Sequence, residues 1–239
     1  MRKAPKELNS PNQDDRPGGV DTLVLHYTGM LSGQAAIDRL CDPSAKVSSH
    51  YVVEEDGTVL RLVPEASRAW HAGISFWRGR HGLNDVSIGI EIVNPGHEWG
   101  YRPFPATQMA TVTALCLGIL ARWEIPAVNV VGHSDVSPDR KQDPGELFDW
   151  QGLASAGVGL WPTDGVPAVR DDEVEQALKA IGYPVADLPA TIMAFQRRWV
   201  PGSVSGMADE VTRRRIAAVL SAYRGEIDIG QGVSPPTVR

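Results

Sequence analysis

The sequence predicts an α/β fold followed by a small three-helix unit at the C-terminus. Short, β-branched, apolar segments at residues 21–27, 87–94 and 128–131 have the length of buried strands. A segment with helical apolar spacing at residues 107–123 lies between the last two of them. Strands that alternate with helices are typical of α/β proteins, whereas the apolar spacing after residue 168 is helical only.

Composition narrows the class of protein. The chain has 239 residues, of which 42% are hydrophobic and 22% charged, and these values exclude collagen-like and wholly disordered proteins. A net charge of -6 argues against nucleic acid as a partner, because such binding depends on Lys and Arg contacts to phosphates. The longest apolar run, residues 114–121, is too short to cross a membrane. We therefore expect a folded protein without a transmembrane segment.

The N-terminal elements are predicted as follows. Residues 1–19 are polar and rich in Pro and Gly, which indicates an irregular arm. The strand at 21–27 ends just after His26. Residues 51–63 contain two alternating runs around the Asp56-Gly57 dipeptide, which favours a tight turn between two antiparallel strands.

The strand at residues 87–94 carries a charge in an unusual place. Its period-2 alternation puts three isoleucines on one face and Glu91, with Gly89, on the other. A carboxylate in an Ile-rich strand is costly unless it faces a polar cleft or a partner. Glu91 is therefore predicted to be a functional residue, and general base is the role that suits it.

The helix at residues 107–123 is predicted to cover the sheet, with Thr107 as its N-cap and Pro126 after its end. The short strand at 128–131 follows and leads directly to His133. The order of these elements puts His133, like His26, at the end of a strand.

The C-terminal part is predicted to be a separate unit. Residues 163–168 are rich in turn formers and indicate a linker. We assign the catalytic domain to residues 20–165, a three-helix unit to 166–224 and a flexible tail to 225–239.

Two imidazoles and a carboxylate suggest metal chemistry. His26, His133 and Asp143 would make a three-ligand zinc site with a fourth position open for water, if the fold brings them together. The alternative for each histidine is a hydrogen-bonded structural role. Asp143 precedes Pro144 and is therefore extended, so Lys141 points the same way and could stabilise an oxyanion; its alternative is a solvated surface lysine.

Six segments occur in a characteristic order along the first part of the chain. They are VLHYT (24–28), VSSHYVVEEDG (47–57), RAWHAG (68–73), WRG (77–79), NDVSIGIEIVN (84–94) and GHSDVSPDRKQDPG (132–145). Together they resemble the zinc-dependent N-acetylmuramoyl-L-alanine amidases of peptidoglycan recycling. The resemblance implies a mixed β-sheet flanked by helices, with the active site in a groove over the sheet.

The resemblance also implies residue roles. His26, His133 and Asp143 correspond to the zinc ligands, Glu91 to the base and Lys141 to the residue that stabilises the transition state. Four further residues are implied to line the substrate groove, with a structural role as the alternative for each: His50, Trp70, His71 and Asn94.

The implied reaction is zinc-dependent hydrolysis of the amide bond between N-acetylmuramic acid and L-alanine in peptidoglycan fragments, in particular 1,6-anhydro muropeptides. Two rival interpretations remain at this point. The same groove could bind or sense peptidoglycan without catalysis, or the zinc site could serve a peptidase. The intact set of ligands, base and lysine counts against the first rival, and the six segments count against the second.

The helical unit has a resemblance of its own. Residues 174–183, 192–199 and 207–212 are similar to the three-helix peptidoglycan-binding domain, and a rigid brace for the groove is the alternative role. The polar N-terminus lacks an apolar signal segment, and Cys41 and Cys116 are too few for a disulfide framework. We expect a cytoplasmic protein, or a periplasmic one if a leader has been removed. The oligomeric state stays open.

Overall fold

A computed structural model describes residues 4–230 of the chain and, in the last helix, side chains through residue 225. The strands in this part are β1 (Lys6–Glu7), β2 (Gln13–Asp15), β3 (Thr22–Tyr27), β4 (Tyr51–Val53), β5 (Val59–Arg61), β6 (Ser67–Ala69), β7 (Phe76–Trp77), β8 (Arg80–His81), β9 (Ser87–Ile92) and β10 (Val130–Gly132). The helices are α1 (Gly33–Cys41), α2 (Gly96–Trp99), α3 (Ala106–Arg122), α4 (His133–Val136), α5 (Trp150–Ser155), α6 (Val174–Ile181), α7 (Leu188–Trp199) and α8 (Glu210–Gly230).

Six of the strands form one mixed sheet in the order β1-β5-β4-β9-β3-β10. Only β4 and β5 pair antiparallel, as the Asp56-Gly57 turn predicts, and the other neighbours pair parallel. The predicted α/β class with a mixed sheet flanked by helices is confirmed.

One face of the sheet is apolar and lies under α3 and α5. Ile88, Ile90 and Ile92 are fully buried there, which confirms the face predicted from the alternation in β9. The helix α3 begins at Ala106, with Pro105 as its N-cap residue, so the prediction of Thr107 as the cap is wrong. Pro105 has an extended ψ of 140°, and its fixed φ places the cap two residues earlier than predicted.

The opposite face of the sheet packs against helices at two places, and a gap lies between them. Near β4 it packs against α1, where Val52 and Leu40 share a small apolar cluster. Near β10 it packs against the C-terminal helices, which share one apolar cluster with Val24 and Val131. The carboxyl side chain of Glu91 lies on this same face, because it alternates with the buried isoleucines.

The C-terminal helices form as predicted but do not make an isolated module. Asp187 caps α7 by accepting from the Ala190 N–H group, and α6 ends at Ile181 with Gly182 as its C-cap. The helices share one continuous core with the catalytic part, in which Phe195 and Trp77 take part. The predicted tail begins inside α8, which runs to Gly230, and residues 231–239 lie outside the described residues.

The N-terminal arm is more ordered than predicted. The strand β1 adds to the edge of the main sheet beside β5, and β2 pairs antiparallel with β6. Ser10 is buried and its hydroxyl donates to the Leu40 carbonyl at 2.6 Å. Asn12 is buried too, and its amide donates to the carbonyls of Asp42 and Val47. The prediction of an irregular arm is wrong because backbone pairing at a sheet edge needs no apolar periodicity.

Two smaller expectations concern the whole chain. Within residues 4–230 no helix combines the length and the apolarity that a membrane span requires. Cys41 and Cys116 are both free, and Cys116, a residue of α3, is buried in the core, as expected for a packing residue.

Candidate metal centre and active-site groove

Three side chains from distant parts of the chain converge at the C-terminal end of the parallel strands. His26 lies near the end of β3, His133 is the first residue after β10, and Asp143 lies in the loop after α4. The Nδ1 atoms of the two rings are 2.9 Å apart, and Asp143 Oδ2 lies 3.1 Å from His26 Nδ1 and 3.0 Å from His133 Nδ1. All three residues are buried, and they are a candidate metal-ligand set.

The protonation states of His26 and Asp143 are those that favour binding of a metal cation. Burial lowers the pKa of His26 to about 4, with the neighbouring His133 adding to the effect. Burial alone would raise the pKa of Asp143, but the adjacent imidazoles of His133 and His26 lower it well below its usual range. The site therefore combines a neutral imidazole with an ionised carboxylate, the forms in which these residues bind metals.

The ring of His133 is also oriented for metal binding. Its Nε2 atom lies 3.3 Å from the carbonyl oxygen of Ala72, which can only accept a hydrogen bond. With its hydrogen on Nε2, a neutral His133 presents the Nδ1 lone pair to Asp143 Oδ2, itself an acceptor. Two acceptors at 3.0 Å have no hydrogen to share, and a metal ion between them fits this donor set.

Glu91 faces the same space from the neighbouring strand. It lies opposite His26 in the register of β9 and β3 and lines the same cavity as His133 and Asp143. Its Oε2 atom is shielded from solvent and makes no hydrogen bond to any described residue. Burial, together with the Asp143 carboxylate, raises the pKa of Glu91 well above its usual range, and Lys141 opposes this change. Such a carboxyl is suited to proton transfer near neutral pH.

The candidate ligands lie at the bottom of a groove. One cavity of about 410 Å³ is lined by Glu91, His133, Lys141 and Asp143 among others. A second cavity of about 540 Å³ shares six residues with the first: Val47, Trp70, His71, His133, Arg140 and Lys141. The two cavities therefore form one open groove that passes over the candidate metal centre.

Comparison with known proteins identifies the family. Residues 14–146 match the profile of the N-acetylmuramoyl-L-alanine amidase family, which covers more than half of the chain. The chain belongs to this family. The resemblance inferred from the six sequence segments is confirmed at this level, and the protein is an N-acetylmuramoyl-L-alanine amidase.

Individual relatives extend the likeness beyond the catalytic part. The amidase is 36% identical over 233 residues to AmiD, the N-acetylmuramoyl-L-alanine amidase of Escherichia coli K12, covering 85% of this chain and 83% of AmiD. The structure of E. coli AmiD in complex with anhydro-N-acetylmuramic acid-L-Ala-D-gamma-Glu-L-Lys aligns with a TM-score of 0.77 over 90% of this chain and 91% of AmiD, at 35% identity. AmpDh3 of Pseudomonas aeruginosa in complex with anhydromuramic pentapeptide aligns with a TM-score of 0.75 over 88% of this chain and 94% of AmpDh3, at 31% identity.

The four residues predicted to line the groove divide into two pairs. Trp70 and His71 line it, and Trp70 borders both cavities. His50 is fully buried beneath the groove, where its Nδ1 atom accepts from the Gly89 N–H group at 3.0 Å. Asn94 is buried as well and stabilises the loop after β9, since its side-chain oxygen accepts from the Gly96 N–H group at 3.0 Å.

Other groove residues of the amidase were missed at the sequence level. Tyr27, His97 and Arg140 line the first cavity. The Tyr27 hydroxyl lies 2.9 Å from His97 Nδ1, and the His97 ring stacks on Tyr101 with centroids 4.3 Å apart. Arg140 precedes Lys141 in the last of the six segments, a position that could have marked it. His97 carries no such signal, because only the fold brings its loop to the groove.

Proposed function

We propose that this amidase is a zinc hydrolase that cleaves the amide bond between the lactyl group of N-acetylmuramic acid and L-alanine in 1,6-anhydro-muramyl peptides. The observation that carries the proposal is the convergence of His26, His133 and Asp143 below a groove that also holds Glu91. The anhydromuramyl peptides in the complexes of AmiD and AmpDh3 support this substrate class.

The metal would be held by His26 Nδ1, His133 Nδ1 and a carboxylate oxygen of Asp143. Bound zinc supplies a Lewis acid for the scissile carbonyl and lowers the pKa of water towards about 7. Three protein ligands leave room for water and substrate, which is the arrangement of catalytic rather than structural zinc sites.

Glu91 is the base in this proposal. Its raised pKa and its unpartnered Oε2 atom support a role in which it takes the proton of the attacking water and delivers it to the leaving amine of L-alanine. A carboxylate already committed to hydrogen bonds would be a poorer base, since those bonds would stabilise its ionised form.

Lys141 and Trp70 complete the proposal. The ammonium group of Lys141 borders both cavities and would stabilise negative charge on the carbonyl oxygen as the tetrahedral centre forms. Trp70 also borders both cavities and is half-buried, so its ring would pack against the substrate on either side of the scissile bond.

The test is the release of free stem peptide, followed by mass spectrometry. Zinc-loaded protein, EDTA-treated protein and EDTA-treated protein with zinc restored are incubated with 1,6-anhydro-muramyl tripeptide. We expect release in the first and third samples only. Binding without release by the zinc-loaded protein would favour the non-catalytic interpretation, and cleavage between amino acids would favour the peptidase.

The role of the helical unit and the cellular compartment of the protein stay predictions. If the unit binds the cell wall, a Glu91→Gln variant will sediment with intact sacculi and zinc-loaded wild type will release peptide from them. If it serves only as a brace, the protein will stay in the supernatant. The cytosolic location is tested by fractionating cells that express the native gene.

A further inference from the structure

His71 links the candidate metal ligand His26 to Ser87. Its Nδ1 atom lies 3.0 Å from His26 Nε2, on the side of that ring away from the metal centre. Its Nε2 atom lies 3.1 Å from the hydroxyl oxygen of Ser87. That hydroxyl in turn lies 2.5 Å from the backbone carbonyl oxygen of Leu83. The four groups form a continuous chain of buried polar contacts that ends at the candidate metal centre.

Only one arrangement of hydrogens satisfies this chain with neutral rings. The Leu83 carbonyl can only accept, so the Ser87 hydrogen lies between these two oxygens. The Ser87 oxygen then accepts from Nε2–H of His71, which leaves a lone pair on His71 Nδ1. That lone pair accepts from Nε2–H of His26, and the Nδ1 atom of His26 is left bare and faces Asp143.

We infer that His71 and Ser87 form a tautomer relay, in which the carbonyl of Leu83 dictates through two side chains that His26 presents a lone pair to the metal. His71 is a positioning residue here and acts only through His26. The inference deepens the proposed function, since it rests on His26 being a zinc ligand. Metal-binding histidines commonly donate their second N–H group to a carbonyl or carboxylate. In this chain the acceptor for His26 is the imidazole of His71. The tautomer of His71 must therefore be fixed as well.

The surroundings of His71 hold its ring in place. A Cβ atom at Gly89 would lie 2.5 Å from the His71 ring. The ring therefore packs directly on β9 at the position where this strand has no side chain. The backbone N–H group of His71 donates to the side-chain oxygen of Asn84 at 3.1 Å. These contacts tie together three of the six sequence segments: the His of RAWHAG, the Asn, Ser and Gly of NDVSIGIEIVN, and the His of VLHYT.

Two substitutions with the same branched arrangement of side-chain heavy atoms separate hydrogen bonding from packing. In His71→Asn the amide oxygen can accept from His26 Nε2–H, whereas His71→Leu removes the acceptor. We expect the zinc dissociation constant, measured by chelator competition, to rise about 10- to 100-fold for His71→Leu and clearly less for His71→Asn. Equal affinity losses in the two variants would overturn the relay, because a packing defect alone would explain them.

The tautomers themselves are visible without metal. Long-range 1H–15N correlation spectra of the zinc-free protein should show His26 and His71 both as Nε2–H rings. In Ser87→Ala, His71 loses the acceptor for its Nε2–H group, and we expect the Nδ1–H form of either ring to appear. An Nδ1–H ring at His26 in the wild type, or unchanged tautomers in Ser87→Ala, would overturn the inference.

His50 offers a matched control. Its ring is fully buried and its centroid lies 5.6 Å from that of His71, but its hydrogen bonds lead to Arg16, Ser67 and Gly89 instead of His26. His50→Leu should keep the wild-type zinc affinity and His26 tautomer. A loss of affinity equal to that of His71→Leu would contradict the relay. If the wild type fails to bind zinc, the proposed function fails, while the tautomer spectra still decide the relay.

Discussion

His26 and Glu91 lie directly opposite each other on the neighbouring parallel strands β3 and β9. Residues paired in this way project from the same face of a sheet, so backbone pairing alone delivers a candidate ligand and a candidate base to one groove. A register slip of one residue would send Glu91 to the apolar face under α3. The isoleucines that alternate with Glu91 therefore fix the geometry of the candidate site as well as the core.

The first prediction concerns Glu91 as the base. Glu91→Gln keeps the shape of the side chain but removes its capacity to accept a proton. We expect kcat for the release of stem peptide to fall by about 10²- to 10⁴-fold, with zinc stoichiometry unchanged. Turnover within a few-fold of the wild type would remove Glu91 from the mechanism.

The second prediction concerns the stability of the zinc-free protein. The pKa of Glu91 is raised on folding, mainly by burial, so the folded state binds this proton more tightly than the unfolded state. Wild-type stability should therefore fall as pH rises from the unfolded pKa near 4.5 to the higher folded pKa, and then stay level. The Glu91→Gln variant should not show this loss of stability, because its amide does not titrate in this range.

Thermal unfolding measured from pH 4 to pH 8 checks this expectation. The Tm advantage of Glu91→Gln over the wild type should be absent at the acidic end and should grow as pH rises. A constant difference across this range would show that the Glu91 carboxyl is not destabilised by its surroundings.

Some of this site could be predicted from the sequence because the signal is local. The alternation in β9 predicted the face on which Glu91 lies, and the six segments pointed to His26, His133 and Asp143, which the structure brings together. Other features depend on contacts between distant segments and leave no local pattern. The contact of His71 with Ser87 is one example, and the burial of His50 is another.

The fold shows the same division. Helix periodicity located α6 and α7 well, since each buries one face and has a capping residue. The pairing of β1 with β5 could not be predicted, because its side chains are exposed and only backbone groups join the sheet. The shared core of the helical unit and the sheet was also missed, since an apolar helix face does not identify the surface that covers it.

The third prediction concerns Lys141 as the stabiliser of the transition state. Lys141→Met keeps most of the aliphatic stem and removes the charge. We expect kcat to fall by about 10²- to 10³-fold, as for loss of an oxyanion donor, with zinc still bound. Arg140→Met, the neighbouring cation on the groove wall, serves as the control and should affect KM more than kcat. An equal fall in kcat for the two variants would contradict a specific role for Lys141.

The fourth prediction concerns the space that Gly89 leaves for His71. Gly89→Ala would put a methyl group 2.5 Å from the ring, in a buried site that cannot relax freely. We expect a loss of about 1–3 kcal/mol in the free energy of unfolding and weaker zinc binding. Gly118→Ala is the control: in α3 the new methyl group meets only the end of Arg122, and stability should stay level or rise. Similar effects of the two substitutions would exclude the proposed steric role.

The fifth prediction concerns a buried ion pair that joins the helical unit to the candidate metal centre. Arg198 in α7 donates to Asp135 Oδ2 at 2.9 Å, and both side chains are about 98% buried or more. Asp135 follows His133 by two residues, and the same oxygen accepts from the Gly132 N–H group at 2.8 Å. The Tyr183 hydroxyl donates to the other oxygen at 2.7 Å. This network supports the alternative role of the helical unit as a brace.

Removing one charge of such a pair leaves the other buried without a partner. We expect Arg198→Met to lower the free energy of unfolding by about 3–5 kcal/mol and to weaken zinc binding, because Asp135 holds the turn that carries His133. The double variant with Asp135→Asn should recover part of the stability, since the unpaired charge is gone. Arg214→Met breaks an exposed pair with Glu210 in α8 and should change stability by no more than about 0.5 kcal/mol. If Arg198→Met matched this control in urea unfolding, the helices would be an appendage to the amidase and not a part of its core.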